Sequence, residues 1–144
     1  MNNNQPEENV VSGLYDNYYE TQKEILVIET KKTKNKLLAL AAVIFAGDFL
    51  GLLTADAINL QTLIVISVIP LVCVGLAFLS IKEPLTSIII AAVIIIGLWV
   101  YAAVVTGGMA AISGWLIKAV IVYLLIAGFQ SAREAQKIKK ELKS

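Results

Sequence analysis

The chain has 144 residues, 58% of them hydrophobic and 16% charged, against roughly 45–50% and 25% in soluble domains. Its 12 Lys+Arg and 11 Asp+Glu leave a net charge of +1, which gives no electrostatic footing for nucleic acid. Histidine is absent and Cys73 is the single cysteine, so the commonest metal ligand, the commonest general base and an intramolecular disulfide are all missing.

Residues 1–13 are polar and read as a disordered tail. Residues 14–36 read as a cytoplasmic helix running into a basic juxtamembrane segment: Tyr15, Tyr18, Tyr19, Gln22 and Leu26 recur at helical spacing. Asp16, Glu20, Glu24 and Glu29 against Lys23 make the first part acidic, which disfavours adhesion to anionic lipid. That helix is expected to lie on a partner or on the protein's own loops, or else to extend the first span into solvent. The first 36 residues carry eleven charges, and a cleavable secretory signal is not expected.

From Leu37 to Gln130 only five charges occur, Asp48, Asp56, Lys82, Glu83 and Lys118. A hydrocarbon core of ~30 Å takes about 20 helical residues, and four apolar stretches of that order follow: 37–53, 60–81, 85–106 and 109–129. Turn signals separate them, notably Lys82-Glu83-Pro84 and Thr106-Gly107-Gly108. Runs such as Ile88-Ile89-Ile90-Ala91-Ala92-Val93 do not alternate, which argues against a barrel. The expected fold is an all-α bundle of four transmembrane helices in two hairpins, embedded in a lipid bilayer, with residues 131–144 continuing the last helix as a basic tail.

Positive charge fixes the expected orientation. Lys31, Lys32, Lys34 and Lys36 precede the first span, Lys82 lies between the second and third, and Arg133, Lys137, Lys139, Lys140 and Lys143 follow the fourth. The other two connections have no Lys or Arg, so both termini are expected in the cytoplasm of a cell (inner) membrane. Trp99 and Trp115 fall where an outer interfacial belt would lie. A weak internal duplication is also visible: Ala41-Ala42-Val43-Ile44 recurs as Ala91-Ala92-Val93-Ile94, and Phe78 to Glu83 resembles Phe129 to Glu134.

The chemistry-bearing residues are few. Asp48 and Lys118 are opposite charges inside different spans, where each costs about 2.5–3.5 kcal/mol, so they are expected to face the bundle interior or a partner and are within reach of an ion pair. Asp48 shares a helical stripe with Ala41, Ile44, Gly51 and Ala55, and Lys118 one with Ala111, Gly114, Val122 and Leu125. Gly47, Gly51 and Gly114 are the expected sites of close helix contact, which would bring the first and fourth helices together. Cys73, three residues after Pro70, reads as core filler, and the carbonyl that Pro70 frees is expected to be satisfied by Ser67 or by a neighbouring helix. Asp56 and Asn59 read as solvated loop residues.

One intramembrane acid without a basic or histidine partner set does not make a catalytic site, and no enzyme activity, metal or cofactor is expected. The favoured reading is a non-enzymatic accessory or scaffold subunit that engages another membrane or cytoplasmic protein through its cytoplasmic ends. The alternative is an oligomeric small transporter or channel that uses Asp48 and Lys118.

Overall fold

The computed structural model describes residues 5–56, 58–108 and 113–143. The chain folds as α1 (Gln5–Thr54), α2 (Leu60–Leu79), α3 (Pro84–Val105) and α4 (Trp115–Glu141), with no strand among the described residues. All four helices are long and apolar enough to cross a membrane, with mean hydropathies of 2.2, 2.7, 2.9 and 1.7 over their most apolar windows. Only 17% to 28% of those windows is buried inside the protein. So much outward apolar surface is unfavourable in water and natural in hydrocarbon, and the chain is a multi-pass membrane protein.

The first helix is the main departure from expectation. Residues 5–13, expected to be disordered, belong to α1, and the segment 14–36 and the first span form the same unbroken helix. Pro6 sits in the first turn, where an N–H has no intrahelical partner to lose, and no further proline interrupts the helix. Once a helix is nucleated, each added residue costs little, so a weakly helical tail propagates from a strongly helical neighbour. Residues 1–4 of the expected tail lie outside the described residues.

Local chemistry sets the other boundaries. Asn59 caps α2, its Oδ1 accepting from the Thr62 N–H at 2.8 Å while the Asn59 N–H donates to Thr62 Oγ1 at 3.1 Å. Caps of this kind stabilise a helix by about 1 kcal/mol, so Asn59 is a structural residue rather than a merely solvated one. Pro70 lies buried within α2, and the Ser67 hydroxyl donates to the Leu63 carbonyl at 2.8 Å. Its bond therefore goes to a different carbonyl from the one four residues before Pro70, which the proline deprives of its N–H. Pro84 opens α3. The fourth helix begins at Trp115, after Gly107, Gly108 and Gly114 at φ of 63°, 91° and 67°, conformations that only glycine adopts cheaply. The expected start at Met109 falls partly outside the described residues, which omit 109–112.

Around the bundle α1 packs most extensively on α4 and next on α2, α3 packs chiefly on α4, and the α2–α3 interface is slight. An exact two-fold repeat would make the α1–α4 and α2–α3 interfaces equivalent, and they are not. Ala41 and Ala91, equivalent in the proposed duplication, are nonetheless both buried. The core joins Leu37, Leu40, Ala41 and Ile44 to Cys73, Leu76, Ala77, Ile88, Ala91, Ile95, Ile121, Leu124 and Ala132. All but Ile44, Ile95 and Ile121 occupy the half of the bundle that carries both chain extensions and the α2–α3 turn, called here the terminal end. At the other, far end, the residues from Phe45 to Thr54 and from Ile96 to Val105 are mostly exposed.

Candidate functional site

Two features of the molecule could carry a function, and they lie at opposite ends. At the far end, where the helices separate, a cavity of about 470 Å³ opens between them. One isoleucine from each helix lines it, Ile44, Ile69, Ile95 and Ile121. Asp48 from α1 and Lys118 from α4 also line it, with Trp99 and Tyr101 from α3. Asp48 and Lys118 thus share one cavity. At the terminal end, ion pairs within 4 Å join Lys32 to Glu29 and Lys139 to Glu83.

The structure revises the depths of these charges. Lys118 stands in the first turn of α4, its N–H bonded to the Gly114 carbonyl at 3.1 Å. At 1.5 Å per residue it lies about 5 Å inside the helix end, while Asp48, six residues before Thr54, lies about 9 Å inside. On the sequence alone a fourth span starting at Met109 would put Lys118 near 13 Å by the same ~1.5 Å rise. The left-handed Gly114 starts α4 and so sets Lys118 in its first turn.

The expected helix-contact residues divide. A Cβ on Gly47 would come within 3.1 Å of Ile117 Cδ1, so Gly47 is where α1 closes on α4. Gly51 is open, and a Cβ there would meet nothing within 4 Å. Gly114 is the left-handed residue that starts α4 rather than a packing residue. The buried stripe of α4 runs through Ile121, Leu124, Gly128, Ala132 and Ala135, one position displaced from the stripe expected through Lys118; Val122 is exposed and Ala111 lies outside the described residues. The closest contact was not anticipated: a Cβ on Gly128 would fall 2.8 Å from Ile88 Cδ1 and 3.5 Å from Lys36 Cβ. A glycine beside Phe129 at the end of an apolar run is its only signal in the sequence.

At the terminal end the long extensions of α1 and α4 pack together. Thr33, Ala132 and Ala135 are fully buried there, and Glu29 is nearly so. The Glu29 carboxylate accepts from Lys32 Nζ at 2.5 Å, and Thr33 Oγ1 donates to the Glu29 carbonyl at 3.0 Å. The hydrogen bond and charge of Glu29 hold the Lys32 ammonium above its ordinary range, with Glu134 of α4 adding to the field. Lys139 Nζ donates to the Lys82 carbonyl and, at 2.9 Å, to Glu83 Oε1, tying α4 to the α2–α3 turn. Lys34 lies 5.0 Å from the ring centre of Phe78, and Lys36 lies 5.9 Å from that of Tyr123.

Beyond this packed zone α1 continues alone. Gly128 lies beside Lys36, and α4 ends at Glu141; in an antiparallel pair the end of α4 is therefore level with about residue 23 of α1. Gln22 and Leu26 are partly buried, whereas every residue from Val10 to Thr21 is exposed, including Leu14 at 64%, Tyr15 at 62% and Tyr18 at 54%. The arm N-terminal to Lys23 is about 27 Å long. No protein-family model matches the chain, and no curated protein or solved structure is detectably similar to it.

Proposed function

We propose that the protein is a non-enzymatic accessory or scaffold subunit of a cytoplasmic membrane, with both termini in the cytoplasm, and that it recruits a protein partner through the arm of α1. One observation carries this reading: the stretch from Val10 to Thr21 is helical yet exposed on every side, with Val10, Val11, Leu14, Tyr15, Tyr18 and Tyr19 among its residues. An isolated helix of that length is marginal in water, and an apolar, aromatic helical face is the kind of surface that a groove in a partner covers. The acidic residues Asp16, Glu20 and Glu24 keep the arm from anionic lipid and favour a partner with a basic rim.

Purification from native membranes through a C-terminal tag tests this. A stoichiometric partner is expected with the wild-type chain and is expected to be lost from Leu14→Ser/Tyr18→Ser, two exposed changes that leave the bundle intact. The cavity favours a second reading, an oligomeric transporter or channel. A partnerless homo-oligomer whose reconstituted vesicles pass ions, with conductance abolished by Asp48→Asn, would establish that alternative and overturn the first.

A further inference from the structure

We infer that α1 pairs in parallel with α1 of a second copy of this chain, along one continuous seam from Val11 to Ala46. Residues 11, 14, 18, 21, 25, 28, 32, 35, 39, 42 and 46 alternate at intervals of three and four, the heptad pattern that two supercoiled helices bury between them. Every one of these positions is exposed in the single chain. They avoid the stripe through Glu29, Thr33, Leu37, Leu40 and Ile44 that packs inside the bundle.

The seam changes character where the helix enters the membrane. Its aqueous part holds Val11, Leu14, Tyr18, Ile25 and Ile28, each at least 38% exposed, a row of apolar and aromatic surface that is unfavourable in water. The charged residues Asp16, Glu20 and Lys23 project from the opposite face of the helix. Its lipid part holds Ala39, Ala42 and Ala46, small side chains that let two backbones approach. Between the two parts stand Lys32, whose charge Glu29 balances at 2.5 Å, and Asn35. An asparagine amide both donates and accepts, so two copies of Asn35 can bond across a two-fold axis and fix the register.

This pattern selects a second copy as the occupant. Copies of one chain insert with the same orientation, so two α1 helices run parallel and at the same height. A foreign helix would have to change from large to small side chains at the same depth, whereas a second copy does so by symmetry. From Val11 to Ala46 the helix rises about 53 Å, and a contact strip about 10 Å wide covers about 500 Å² on each copy. The total of about 1,000 Å² reaches the size of a specific interface. The drift of about 20° per heptad between a straight helix and this repeat is absorbed by a left-handed supercoil. Pairing leaves Tyr15 and Tyr19 on the adjoining face, open to the partner proposed above, but does not depend on that partner.

Cross-linking of the purified full chain, reconstituted in phosphatidylcholine vesicles with single cysteines in a Cys73→Ser background, tests the seam. Leu14→Cys, Thr21→Cys, Ile28→Cys and Ala42→Cys are expected to give disulfide-linked dimers under mild oxidation, and Asp16→Cys, Glu20→Cys and Lys23→Cys are not. Ala39→Phe/Ala42→Phe, which faces lipid in the monomer and lies outside the arm, is expected to weaken the dimer about tenfold in sedimentation equilibrium, equivalent to ~1.4 kcal/mol, with helical content unchanged. Equal cross-linking on both faces, or undiminished dimerisation of the phenylalanine variant, would overturn the inference. A monomeric wild-type chain that still captures a partner through its arm would overturn the dimer and leave the proposed function standing. A dimer linked through the seam that captures no partner would do the reverse.

Discussion

The tightest helix contact offers a direct test of the packing. A Cβ on Gly128 would stand 2.8 Å from Ile88 Cδ1, roughly 1 Å inside the ~3.5–4.0 Å at which carbon atoms attract. Ile88 is 2% exposed, so its side chain has little room to turn away, and moving it off its rotamer costs about 0.5–1.5 kcal/mol. Gly128→Ala also gains about 1 kcal/mol of helix propensity, and the two effects leave the single change near neutral. Ile88→Val deletes the atom in the way and alone costs about 0.5–1.5 kcal/mol for the space it leaves. In the double variant the new methyl fills that space without a clash, the propensity gain is realised in full, and the pair is expected to be more stable than additivity allows by about 1–2 kcal/mol. Reversible unfolding of the purified protein in mixed micelles, followed by circular dichroism, gives all four corners of the cycle. Additivity within about 0.5 kcal/mol would show that Gly128 does not face Ile88.

Further outcomes follow from the charged groups and the topology. In a Cys73→Ser background, cysteines at Asp56 and Gly107 are expected to react with an impermeant thiol reagent added to whole cells, and cysteines at Glu83 and Lys143 are not; external labelling at 83 would refute the orientation. The hydrogen bond and charge of Lys139 hold the Glu83 carboxyl below its ordinary value of 4.5, so this pair adds stability above that pH and loses it as pH falls through the lowered value. Melting temperatures taken from about pH 6 to about pH 3 should drop more steeply for the wild-type chain than for Glu83→Gln; identical slopes would show that the pair does not hold the α2–α3 turn.

The sequence made the four spans legible because hydropathy reports what lipid demands, and the starts of α2 and α3 fell within a residue of expectation. It left the start of α4 hidden. Met109, Ala110, Ala111 and Ile112 are as apolar as any helix, and only the left-handed conformation of Gly114 reveals that the helix begins after it. Asp48 and Lys118 were identifiable as charges within apolar spans by their cost, yet their shared cavity depends on how the helices pack, which no single stripe encodes. The continuity of α1 was obscured for a different reason: composition marks residues 1–13 as weakly structured, but helix propagation is cooperative and draws on the neighbouring segment. Gly128 could not be ranked above Gly51 because small residues permit close approach without specifying it.

The uneven density of the bundle follows from where each driving force operates. Within lipid, apolar side chains gain nothing by leaving hydrocarbon for one another, and helices associate through close van der Waals contact between small residues. Those residues cluster toward the terminal end, where Ala41, Ala77, Ala91 and Gly128 are all buried. Beyond the membrane on that same side, the extensions of α1 and α4 meet in water, where burial of Ala132, Ala135 and the Thr33 methyl does gain hydrophobic free energy. Both forces therefore close one end. At the other end a Cβ on Gly51 or Gly97 would meet nothing within 4 Å, and the contact of Gly47 with Ile117 stands at the margin of the opening. The cavity lined by Asp48 and Lys118 therefore lies where neither force brings the helices together.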